Sequence, residues 1–405
     1  MKLQVNILNK LFVDYYFYLF NLVALISAVV LKMRSGAICA IIILISFYLF
    51  SRSKKIKDID FLFVLYIFFN AVSIFWYPFN GENISLYFSG VSYNLIPSLL
   101  FFIGFWMNKN SLDNILDTIF YSNFVIALIG LLLFMYDKTL YFSYMDTEFA
   151  HSYTYAHKFG SYLTCLVFGS MCVSQVGLII YRFFANKKGL MTIVAIPVLL
   201  YTLLLNMERG AWFASLILIS IVLFFLLIDA NNYRRAIKAM AIVFVLAVGF
   251  YSFLFNYVND DTFAYFNNRV NASSDFFSSR SDQMDKAMEV FSSYPLGYGL
   301  GAAGNKAAFE GSRIVPDGNY FRILVETGVL GFSVFMLIVI RGTWRGFHGD
   351  LSKKILTSIV VAYLAHATGS NVFDFFYSSY IFWLLLGAIS RPVVSCNNFF
   401  VLEKK

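Results

Sequence analysis

Six ionisable residues stand at the ends of long apolar stretches: Arg209, Asp317, Arg322, Glu326, His366 and Asp374. A charged side chain at the centre of a membrane-crossing helix costs about 2.5–3.5 kcal/mol on insertion scales, so such groups are kept for function or for pairing. Their types suit two tasks. A guanidinium grips phosphate oxygens through paired N–H groups and stays charged. A carboxylate or imidazole at a partly dry boundary can take or orient a proton. Each residue also has a plainer reading. Arg209 can snorkel to the membrane surface. Asp317 follows Pro316 ahead of a helix and is a good N-cap. Arg322 and Glu326, four residues apart, can neutralise each other. His366 can be a hydrogen-bonded packing residue. The clustering at one depth of several stretches weighs more than any single member, and a proton or ion path would instead spread charges through the bilayer.

The elements that must hold this cluster follow from composition. Of 405 residues, 60% are hydrophobic and only 13% charged, against roughly 25% charged in soluble domains. Phe and Tyr alone number 47 and 27. A soluble protein could not hide this apolar surface, so soluble enzymes, nucleic-acid binders and disordered scaffolds are excluded. The net charge of +8 sits in short clusters between apolar runs. With about 20 residues needed per crossing, twelve spans are expected, near 11–31, 36–50, 59–79, 91–107, 114–135, 159–184, 189–206, 210–229, 236–256, 319–340, 355–369 and 372–390. Lys and Arg collect at alternate ends: 52–57, Lys109, 182–188, 234–238, 341–354, Arg391 and 404–405. By the positive-inside rule these ends and both termini are cytoplasmic, and the six-residue cluster is external. The N-terminus reads as an uncleaved first span, since Asp14 and Asn21 interrupt its apolar region.

The chain divides into 1–256 (nine spans), 257–318 (a large external loop with eight acidic and five basic residues) and 319–405 (three spans and a tail). A second external loop, 136–158, is Tyr-rich. Long loops are usually functional. Several patterns carry less than they suggest. Gly297, Gly299, Gly301 and Gly304 imitate a dinucleotide loop, but no strand precedes them. Asp146, Glu148, His151 and His157 fit no standard metal spacing. Cys39, Cys165, Cys172 and Cys396 are scattered and read as small core residues without a disulfide framework. No internal repeat is visible, which argues against an inverted-repeat transporter.

From residue 201 onward three motifs stand in order. The first is Asn206-Met207-Glu208-Arg209-Gly210-Ala211-Trp212 at the external start of a span. The second is Ser279-Arg280, then Ala287-Met288, then Tyr294-Pro295-Leu296-Gly297-Tyr298-Gly299-Leu300-Gly301. The third is Asp317-Gly318-Asn319-Tyr320, followed by Glu326-Thr327-Gly328-Val329-Leu330-Gly331. This series resembles the O-antigen ligase/polymerase superfamily of bacterial envelope glycosyltransferases. The likeness covers roughly 130 residues, and the first half matches only as a run of spans. Glu208 stands where the family usually has Ser. Asp317 stands where ligases carry His and polymerases (Wzy-type) commonly carry Asp, which tips the resemblance toward a polymerase.

The resemblance implies an all-α polytopic membrane protein, GT-C-like, of about 12 transmembrane helices with one large periplasmic loop, in the bacterial inner membrane. It implies transfer of an undecaprenyl-pyrophosphate-linked oligosaccharide onto another lipid-linked repeat, with no metal or cofactor and no nucleic acid. Membrane lipids and a polysaccharide co-polymerase chain-length regulator are the implied partners. Arg209, Arg280 and Asp317 are the expected catalytic residues. Arg313, Arg322, Asn319, Tyr320, Glu326 and His366 are expected around pyrophosphate and glycan. A ligase, or a capsule or exopolysaccharide polymerase of the same superfamily, is the first alternative. A lipid-linked glycan flippase or transporter is the second, and would need a polar central cavity and two similar halves.

Overall fold

The computed structural model describes residues 60–76, 84–137, 165–185, 189–228, 285–304 and 318–392, with a few isolated positions between them. Nothing but helices and turns occurs among these residues. In chain order they are α1 (Phe61–Val72), α2 (Ile84–Trp106), α3 (Lys109–Tyr136), α4 (Cys165–Phe184), α5 (Leu190–Asn206) and α6 (Arg209–Ile228). A short helix, α7, covers 285–293, and α8 (Asn319–Phe347), α9 (Leu351–Ala367) and α10 (Phe376–Ser390) complete the series. Five of them (α2, α3, α4, α6 and α8) are long and apolar enough to cross a membrane. The chain is a multi-pass, all-helical membrane protein. The expected span 11–31 and most of 36–50, of the loop 136–158, of 236–256 and of 257–318 lie outside the described residues.

Local chemistry sets the helix ends. Asp60, Asn108 and Asp350 are N-caps whose side chains accept the amides of Phe63, Ser111 and Lys353 at 3.2, 2.8 and 3.0 Å. Two boundaries differ most from the expected ones. α2 begins at Ile84 rather than 91, and its added turns, with Ser85 and Ser89, belong to the helix because Tyr87 and Gly90 are buried. α8 runs to Phe347 rather than 340. Its last turns carry Arg341, paired with Asp60, and Arg345, which donates to the Ser390 carbonyl at 2.9 Å. Paired arginines of this kind need not stop a span.

Lipid offers no hydrophobic drive between helices, so close packing and small residues hold them. α10 lies against α2 with main chain nearly touching main chain. A Cβ on Gly104 would strike the Leu384 carbonyl, and one on Gly387 would strike that of Phe101. Aromatic rings fill the space where α1, α2, α8 and α10 meet. Phe63 stacks on Phe101 with centroids 4.3 Å apart, and Trp383 lies edge-on to Phe63 and Phe335 at 5.7 and 5.9 Å. Outward faces stay apolar, with Leu190, Met191, Phe213, Leu216 and Phe224 exposed on α5 and α6.

Polar contacts sort the helix ends into two groups. At one end, Arg391 donates to the Met107 carbonyl at 2.8 Å, Lys353 to the Arg391 carbonyl at 2.7 Å, and Lys109 faces Asp350 at 3.7 Å. Asp117 there holds both Arg182 and Lys187, and Lys354 lies 5.1 Å from the Phe225 ring. This is the basic end. The opposite end gathers the start of α6, the start of α8, the end of α9 and the turn before α10.

Candidate functional site

The turn between α9 and α10, residues 366–374, is the floor of the site. Its side chains reach in two directions. Toward the first motif, Ser370 donates to the Glu208 carboxylate at 3.5 Å. His366, buried at the end of α9, lies over Gly210, where a Cβ would come within 2.7 Å of the imidazole carbon Cδ2. The glycine after Arg209 therefore makes room for a histidine from another helix. Toward the third motif, Asn371 accepts the Gly318 amide at 3.2 Å. Asn319 accepts the Phe373 amide at 3.0 Å and donates to Asp374 at 3.5 Å. Met207, in the left-handed conformation at φ 51°, reverses the chain between α5 and α6, so Arg209 opens α6 at this end. Asn206 ties the reversal down by donating to the carbonyls of Phe159 and Cys165, both at 2.7 Å.

One turn deeper lies a buried charged network. Arg322 pairs with Asp374 rather than with Glu326, and it donates to the Asn94 side-chain oxygen at 2.6 Å. The amide nitrogen of Asn94 donates onward to Glu326 at 3.3 Å. The other Glu326 oxygen accepts the Gly301 amide at 2.9 Å. Arg322, Glu326 and Asp374 are 4%, 1% and 4% exposed, so their charges are held by one another and by these donors. Among them remains a cavity of about 20 Å³, lined also by Ser89 and Tyr93, room for about one water.

The glycine-rich turn docks on this network through a break in α8. Gly328 leaves helical geometry at φ 65° and ψ −174°. The carbonyls freed by the break are taken up by the turn. Val325 accepts from the Tyr298 amide at 2.8 Å and Glu326 from the Gly299 amide at 2.9 Å, while the Val329 amide donates to the Pro295 carbonyl at 3.0 Å. Irregular backbone at membrane depth is tolerated only where protein satisfies it in this way. Gly297 is equally constrained, since a Cβ there would meet the Gly328 amide nitrogen and the Glu326 carbonyl. The second and third motifs are therefore two halves of one main-chain splice.

Of the residues singled out in the sequence, Arg209, Asn319, Tyr320, Arg322, Glu326 and His366 lie at this one end. Tyr320 spends its hydroxyl on the Leu364 carbonyl at 3.0 Å. Arg280, Arg313 and Asp317 lie outside the described residues; Asp317 directly precedes Gly318, whose amide is held by Asn371. The sequence reading missed Ser370 and Asn371, and it missed Asn94. Asn94 sits in a π-helical turn, Val91–Leu95, before Pro97, a type of helix irregularity frequent at functional sites. An amide in the middle of an apolar span was the available signal.

The helices and their polar end define a class, that of multi-pass membrane proteins with a buried, charge-bearing site at one end of the bundle. Residues 194–336, about a third of the chain, match the family described as O-Antigen ligase, a stretch that contains all three motifs. A protein of Salmonella muenchen named "O-antigen polymerase" is 24% identical over 278 residues, which are 63% of this chain and 67% of that one. Over these stretches the chain is similar to O-antigen ligases and polymerases.

Proposed function

We propose that this protein is an O-antigen polymerase, a glycosyltransferase that joins undecaprenyl-pyrophosphate-linked repeat units at the periplasmic face of the inner membrane. The observation that carries the reading is the convergence of the first and third motifs on the 366–374 turn, at the end of the bundle away from the basic clusters. A lipid carrier stays in the bilayer, so its headgroup chemistry belongs at such an end.

In the proposed reaction an acceptor hydroxyl oxygen attacks the anomeric carbon of the donor's reducing-end sugar. The bond from that carbon to the pyrophosphate oxygen breaks, and the lipid pyrophosphate leaves. Asp317 takes the hydroxyl proton, and Arg209 and Arg280 balance the charge growing on the leaving oxygen. Arg313 adds charge nearby. Arg322 acts from beneath, since its guanidinium is buried against Asp374 and Asn94. Asn319, Tyr320 and His366 shape the glycan side, and a chain-length regulator is the expected partner. The family's description favours ligation as a second reading; Asp rather than His at 317 supports polymerisation.

Deleting the gene in its host and running the lipopolysaccharide on a gel separates these readings. Core bearing a single repeat, with the ladder lost, is the expected result. Lipid-linked polymer accumulating outside would mean a ligase, and single lipid-linked units trapped inside would mean a flippase.

A further inference from the structure

We infer that Asn94 is a positioning residue for the transfer, the link by which the first half of the chain holds both Arg322 and the glycine-rich turn in place; this deepens the polymerase reading and rests on it. Asn94 uses both ends of its amide at once. Its oxygen accepts from Arg322 at 2.6 Å and its nitrogen donates to Glu326 at 3.3 Å. Glu326 in turn accepts the Gly301 amide at 2.9 Å. The chain of contacts therefore runs from α2, through two buried ions of α8, into the backbone of the external turn. Two neighbouring contacts brace the same turn. The Leu300 amide donates to Ser73 at 3.3 Å, and a Cβ on Gly90 would strike Gly301.

Only a group that accepts on one side and donates on the other fits between a guanidinium and a carboxylate. An aspartate in this place accepts from Arg322 but offers Glu326 no proton and adds a like charge, and a leucine fills the space with neither function. The polarity can, however, be moved as a unit. When Asn94→Asp is combined with Glu326→Gln, Arg322 keeps a carboxylate partner. The introduced glutamine donates its nitrogen to the new carboxylate, and its oxygen accepts from Gly301. The number of charges is unchanged.

The test compares the wild type with Asn94→Leu, Asn94→Asp and the pair Asn94→Asp with Glu326→Gln, all as full-length protein in detergent. Two quantities are measured: hydrogen exchange over residues 295–304, and turnover of lipid-linked repeat units with kcat and KM separated. Asn94→Asp should speed exchange in the turn and lower kcat by about 10- to 100-fold, with KM changed by less than about threefold. The paired variant should recover both the slow exchange and most of kcat. Wild-type exchange and kcat in Asn94→Leu, or no recovery in the paired variant, overturns the inference. A wild type that extends no repeats, but whose turn loosens with Asn94→Asp and tightens again in the pair, leaves the clasp standing and rejects the polymerase reading.

Discussion

At the scale of single residues the proposed site divides labour between groups that build the buried network and groups assigned to the chemistry. Asp374 belongs to the first kind. Asp374→Ala removes the direct ion pair of the buried Arg322, leaving it the Asn94 oxygen and the nearby Glu326 charge, and breaking a buried pair costs about 3–5 kcal/mol. The expected result is a marked fall in melting temperature in detergent, read by thermal unfolding. Arg209 and Asp317 belong to the second kind in the proposed reaction. Arg209→Lys keeps the charge but loses the planar fork, and should lower polymerisation about tenfold or more with normal protein levels. Asp317→Asn tests the base directly, because the N-cap of α8 is Gly318 and not the predicted Asp317: an inactive but well-expressed variant supports proton transfer, and an active one rejects it. Both are scored by the lipopolysaccharide ladder in a deletion host, alongside immunoblots.

At the scale of elements, the break in α8 is the decisive feature. Gly328→Ala puts a Cβ on a residue at φ 65° and drives it into the Leu296 and Pro295 backbone. Strain of this sort costs about 1–3 kcal/mol before the clash is counted. Faster hydrogen exchange over 295–299 and a lower melting temperature are expected, and an unchanged exchange pattern would show that the splice does not need this glycine. Helix positions were largely legible in the sequence because lipid demands long apolar runs. The starts of α5 and α6 fall next to the expected ones. The break was not legible. Gly328 lies inside a run of apolar character, and only the carbonyls of Val325 and Glu326 turning to the loop reveal why it is there. The Arg322–Glu326 spacing told only part of the arrangement: the two charges interact, but the direct ion pair of Arg322 is with the distant Asp374, and Asn94 bridges it to Glu326. The contacts that Asn94 makes reach across more than half the chain, and such contacts leave no periodicity to read.

At the scale of the whole molecule, the two groups of helix ends give the proposed orientation a direct check. In a background with Cys39 and Cys396 replaced by Ser, a cysteine at Ser293 should react with a membrane-impermeant thiol reagent in intact spheroplasts. One at His348 should react only after the membrane is opened. Ser293 and His348 are both exposed, and the described native cysteines Cys165 and Cys172 are buried. The reverse labelling pattern would invert the topology and move the site to the cytoplasm. The splice between loop and span has a consequence for how such proteins diversify. Its three hydrogen bonds join main chain to main chain, and every sequence possesses those atoms except the proline nitrogen. Apart from the glycines at 297, 301 and 328, the loop's side chains can therefore change while the socket that receives it stays the same, as an instrument accepts different bits in one chuck.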